Sequence, residues 1–133
     1  MRMLAVVVSF LVLLGACSAK PTPSSTSQAR PFSTAKLTIL QPMSGTTIDG
    51  KDVEVKLSLV GGTVTMITTR NIKPNIGHIH LRLDGTTITI LGSLDDHIPN
   101  VRSGQHVLEA EFVASDHLPF ARDILAAVTF TAK

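Results

Sequence analysis

A chain of 133 residues with a formal net charge of +2, five His, a single Cys and neither Trp nor Tyr is bounded before any motif is read. Once an export signal and a linker are set aside, about a hundred residues remain, which is room for one domain and no second. The charges alternate in sign without a basic run, which argues against a nucleic-acid partner. The lack of Trp and Tyr argues against binding on a large aromatic platform.

Met1-Arg2-Met3 supplies a short positive start, and residues 4–14 are apolar except for Ser9. A permanent transmembrane helix needs about 20 apolar residues to cross a hydrocarbon layer of roughly 30 Å, so this run reads as a cleavable signal. The string LGAC at 14–17 resembles the lipobox of bacterial lipoproteins. That resemblance implies a signal peptide over 1–16, acylation of the Cys17 sulfur by palmitate-class chains, and Cys17 as the mature N-terminus. Each buried methylene contributes about 0.8 kcal/mol, so two or more chains hold a stable membrane anchor where one would be marginal. The protein is then expected outside the cytoplasm, lipid-anchored to the bacterial plasma membrane or outer membrane. Ser18 is compatible with outer-membrane sorting in a Gram-negative cell. Residues 17–35 are rich in Ser, Thr and Pro without periodicity, and read as a disordered tether.

From residue 36 to 133 the pattern is that of short strands between turns. Residues 37–40 open the domain, and Pro42, Gly45 and Asp49-Gly50 mark the first connection. Residues 52–60 alternate, with Val53, Val55, Leu57 and Leu59 on one face. Gly61-Gly62 predicts a two-residue turn into a strand over 63–69, making a hairpin. Residues 70–77 form a loop with Lys73-Pro74. A strand over 78–83 puts Ile79, Leu81 and Leu83 on one face, and Asp84-Gly85 turns it into an antiparallel partner over 86–91. Residues 92–104 read as a long polar connection. Strands over 105–113 and 124–131 close the domain, the former with Leu108, Ala110 and Phe112 on a shared face. The fold class predicted is all-β, an Ig-like Greek-key sandwich of about seven or eight strands.

GHIHLRLDG at 77–85, followed by SGQHVLEAEFVASDHLPF at 103–120, resembles a family of uncharacterised bacterial Ig-like domains of secreted and lipid-anchored proteins. The shared features are a histidine-bearing strand ending in Asp-Gly, a strand opening with Gly-x-His, and an Asp-His-x-Pro loop. A looser likeness links the chain to periplasmic copper-carrier sandwiches, but it lacks their N-terminal histidine and methionine-rich loop.

All five histidines lie between His78 and His117. His78 and His80 project to one face of a strand about 6.5 to 7 Å apart, a spacing at which two imidazoles grip one cation. His78, His80, His106 and His117 are the candidate ligands for copper or zinc, ahead of His97 in the long connection. His78, His80 and His106 are expected to be the closest trio, with Asp84, Asp116 and His117 at the same end of the sandwich. Against a metal role, the histidines would serve turn backbones through hydrogen bonds. Met43 and Met66 read as packing residues.

For catalysis there is no Gly-x-Ser-x-Gly string, no His-Glu-x-x-His, no phosphate loop and no thiol left after lipidation, so no enzyme activity is expected. The function expected is an envelope lipoprotein displaying a non-catalytic binding or structural module, with a protein or glycan as partner. The alternative is a histidine-based copper or zinc carrier.

Overall fold

The structure, a computed structural model, describes residues 29–133. The signal, Cys17 and all but the end of the linker lie outside the described residues. Among the described residues there are nine strands, and no helix is long and apolar enough to cross a membrane. In chain order they are β1 (Lys36–Gln41), β2 (Thr46–Ile48), β3 (Val53–Val60), β4 (Thr63–Val64), β5 (Ile76–Leu83), β6 (Thr86–Leu91), β7 (Asp95–Ile98), β8 (Gly104–Ala114) and β9 (Leu125–Ala132).

Two sheets face each other, one ordered β1-β3-β7 and the other β2-β9-β8-β5-β4, with β6 also paired to β5. The chain crosses between sheets after β1, β2, β3, β6 and β7, and the result is the expected Greek-key sandwich. Period-two alternation drives the core: Val53, Val55 and Leu57 from one sheet meet Ile79, Leu81, Leu108, Ala110 and Phe112 from the other, all buried. Asp84 and Gly85 both take positive φ, 52° and 79°, which is the paired left-handed geometry of the expected two-residue hairpin turn.

Three local expectations fail. Residues 63–69 do not return along β3 as a hairpin: β1 takes one edge of its second half, and the chain leaves the sheet at Gly61-Gly62. Instead β4 runs parallel to the start of β5 in the opposite sheet. The polar connection at 92–104 contains β7, whose Asp95, Asp96 and His97 mask the strand that Ile98 anchors in the core. The first connection contains β2, held parallel to β9.

The outer edges are blunted against further pairing. β1 carries a register shift between Ile39 and Gln41, β2 has three residues, β6 has Ile88 bulged out of register opposite β5, and β7 carries two Asp.

The sandwich has two ends. Residues 30–35, 61–62, 70–75 and 115–123 gather at the first, and residues 49–52, 84–85 and 99–104 at the second. The 11 residues of β8 separate them by about 35 Å.

Candidate functional site

On β5, Ile79 and Leu81 enter the core, so His78 and His80 point away from it, as their parity requires. His78 is nevertheless 1% exposed. Its cover comes from elsewhere in the chain: Nδ1 donates to the Thr65 carbonyl at 2.6 Å, Nε2 lies 3.2 Å from the Ser115 carbonyl, and the His117 ring stacks on it at 4.1 Å and 11°. Both nitrogens of His78 are therefore committed to backbone oxygens.

His117 sits in the turn that follows β8, with φ +65°. A left-handed residue other than glycine costs about 1–2 kcal/mol, so its contacts must hold it there. Its N–H donates to Ala114 O at 2.9 Å, its Nε2 meets the Thr68 hydroxyl at 3.0 Å, and its Nδ1 meets His80 Nε2 at 3.2 Å. The centroids of His80 and His117 are 5.5 Å apart, the N···N distance plus one ring radius on either side. The two nitrogens thus face head-on, the geometry of one shared N–H, with a donor on one ring and a lone pair on the other. Burial holds the His80 imidazole below its ordinary range, and the nearby His117, Arg82 and His78 add to this.

The same turn grips the start of the described chain. Arg30 forks onto both carboxylate oxygens of Asp116, with Nη2 donating at 2.9 Å to Oδ1, and also donates to the carbonyls of Leu118 and Pro119 at 2.7 Å each. This fork holds the Asp116 carboxyl below the usual carboxylate range. Pro31 O accepts from Ala121 N–H, Ser33 and Thr34 bond to Asn75, and Ala35 is buried. Residues 30–35 are thus a strap on the sandwich, although their composition matches the tether before them. The one signal in the sequence was Arg30, the only Arg among the Ser, Thr and Pro of 18–35. The return of the loop at 116–120 over the edge is as expected, with Phe120 buried against Phe112 at 5.3 Å between centroids.

His106 is not part of this group. His80 pairs with Glu111, five positions from His106, or about 17 Å along the strand. The expected trio of His78, His80 and His106 is therefore wrong, and so is the gathering of Asp84 and His106 with Asp116 and His117. What comes together is His78, His80 and His117 at the first end and His106 with Asp84 at the second. The reason is that β5 and β8 are antiparallel: the start of β5 lies beside the exit of β8, and the start of β8 beside the Asp84 turn.

At the second end His106 donates from Nδ1 to Asp84 Oδ2 at 2.7 Å and lies 2.7 Å through Nε2 from Arg102 O. The Asp84 hydrogen bond, then the Arg102 carbonyl, raise the His106 pKa above its ordinary value. Beside this pair lies an open depression of about 800 Å³ between the free edges of β6 and β7, lined by Thr86, Ile88, His97, Asn100, Arg102 and Gln105 among others.

Among the described residues no group of three His, Cys, Asp or Glu side chains is placed to hold a metal ion. His97 lies on β7 rather than in an irregular connection, and Asp96 accepts its backbone N–H. Met43 and Met66, expected to pack, are 67% and 61% exposed, each in a connection between strands.

No protein-family model matches the chain, and no curated protein matches it. Among solved structures it is similar to the fibronectin(III)-like modules of Clostridium thermocellum CbhA, at a TM-score of 0.52 and 18% identity over 73% of this chain and 94% of that one. It also aligns with the CARDB domain of a Pyrococcus furiosus protein, at a TM-score of 0.47 and 11% identity over 77% and 96% of the two chains. A third neighbour is the PKD domain of human KIAA0319, at 0.38 and 15% over 86% and 92%. The fold is Ig-like. At these identities the likeness concerns the fold alone, and the Ig-like domain hosts many unrelated functions.

Proposed function

We propose that this chain is a lipid-anchored envelope protein whose Ig-like domain is a non-catalytic binding or structural module, tethered through Cys17 and presenting its second end outward. The observation that carries this reading is the placement of the strap. Arg30 and its neighbours fasten the entering chain at the first end, while the open depression lies about 35 Å away at the other. A tether entering there leaves the depression facing away from the membrane. Its lining includes the polar side chains of Asn100, Arg102, Ser103 and Gln105, suited to hydrogen-bonding a protein or glycan.

The test is a photo-crosslinking residue placed in the full chain in bacterial envelopes, at Asn100 in one variant and at Lys73 in another. The reading expects a discrete adduct from position 100 that is lost on Arg102→Ala, and none from position 73. Equal adducts from both positions, or none from position 100, would overturn it.

A further inference from the structure

The first end joins two features that folding alone does not require to be joined: a head-on pair of imidazoles and the strap that enters the domain. Both converge on three consecutive residues. Asp116 and Leu118 hold Arg30, and His117 between them holds His80.

The His80–His117 contact requires that one ring supply an N–H and the other a lone pair. One added proton can sit on an outward nitrogen and leave this bond in place; two place two N–H groups against each other at 3.2 Å and two cations in one partly buried site. The surroundings offer little relief. From β5 come His78 and Arg82, from β8 Glu111, from the turn Asp116, and from the strap Arg30. The two acids are already engaged, Glu111 by Arg82 at 2.6 Å and Asp116 by Arg30. The covering segment at 65–69 carries no charge. Once its ring is displaced, His117 loses the Thr68 bond and the His78 stack, so its left-handed backbone is held only by the two backbone bonds with Ala114, and the turn that presents Asp116 Oδ1 and Leu118 O to Arg30 is weakened.

We propose that the His80–His117 pair is a proton-operated latch on the strap: the first added proton goes to an outward ring nitrogen and leaves a charge-assisted N–H···N bond, and the second, on the facing nitrogen, breaks that bond, parts the rings and loosens the turn at 115–118 that holds Arg30. The balance is two protons gained as two new N–H bonds and one hydrogen bond lost. The lowered proton affinity of His80 has the sign such a latch needs, because the opened state binds the proton more tightly than the closed one. If the chain is tethered as proposed above, release of residues 30–32, which precede the Ser33 and Thr34 bonds to Asn75, adds about 10 Å of reach at some 3.3–3.6 Å per residue. That consequence rests on the tether; the latch itself does not.

The test is amide hydrogen exchange on the full chain in detergent micelles, corrected for intrinsic pH dependence. Ala121, whose N–H donates to Pro31 O, reports the strap, and Phe112, whose N–H donates to Ile124 O, reports the fold. Between about pH 7.5 and about pH 4, protection at Ala121 is expected to fall about tenfold or more while Phe112 holds. In His80→Gln, whose amide turns to offer either donor or acceptor, the fall is expected to vanish. Unchanged protection at Ala121 in the parent chain, or an undiminished response in His80→Gln, would overturn the latch. Should His80→Gln lose protection at Phe112, His117→Asn carries the same test, since Asn tolerates the left-handed backbone. In that variant the strap is expected to be open, with Ala121 weakly protected at both pH values, and a retained pH response there sinks the proposal.

Discussion

His106 donates a ring N–H to Asp84 at 2.7 Å and so ties the first turn of β8 to the hairpin between β5 and β6, while Val107 N–H donates to the other Asp84 oxygen at 2.9 Å. The pair gives the second end of the sandwich a pH response opposite to that of the first. The folded pKa of His106 lies above the unfolded value, so its stabilisation is complete below an unfolded pKa of about 6.5 and is lost as pH rises through the folded value. Asp84 is held low, first by the Val107 N–H and then by His106, so its contribution is lost only as pH falls through its folded value, below 3.8. His80 runs the other way from His106: its lowered pKa gives stability present above about 6.5 and lost as pH falls below it. Asp84→Asn keeps the left-handed turn and the Val107 bond but removes the ion pair. The melting-temperature gap between parent and Asp84→Asn should be largest near pH 5–6 and narrow on the alkaline side; a gap that widens there would contradict the assignment.

Arg30→Gln removes the fork on Asp116 and two donors to backbone carbonyls. Charge-assisted bonds at a partly buried site are worth about 1.5–3 kcal/mol, so denaturation should show a loss of about that size. Asp116→Asn should cost less, and the double variant should fall short of the sum of the two, because the two residues share one interaction. Strict additivity would show that the contact contributes nothing in solution.

Gly77 has no room for a side chain. A Cβ there would lie 1.8 Å from Val113 O, inside the β5–β8 ladder that also positions His78. Gly77→Ala should therefore cost about 3 kcal/mol or more and disturb the His78–His117 stack, whereas Gly50→Ala, with no atom within 4 Å, meets only its strained φ of 105°. Urea midpoints of the two variants check the order.

Cys17 is the only cysteine of the chain. Cys17→Ser should abolish incorporation of labelled palmitate and leave the signal uncleaved or the protein released; labelling at the parental level would remove the anchor from the proposed function. With no second cysteine to pair, the parent should also melt at one temperature with and without reductant.

The sequence by itself determined the sandwich. Alternation over 53–59, 79–83 and 108–112 is a local property of a strand with one face in a core, and Asp84-Gly85 is a local solution to a two-residue turn. Even the outward parity of His78 was legible, because it depends only on its neighbour Ile79. Its burial was not, because the cover comes from Thr65, Ser115 and His117, brought over it by the route of the chain between sheets. The same holds for β7, a strand created by the open edge of β3 despite three polar residues in four, and for the absent hairpin at 63–69, where the chain pairs instead with β5 in the opposite sheet. Arg30 reads as linker until Asp116, 86 positions away, folds beside it. Local periodicity decides which residues face inward, but only the closed topology decides what covers those that face out, and the candidate site is built from covers of that kind.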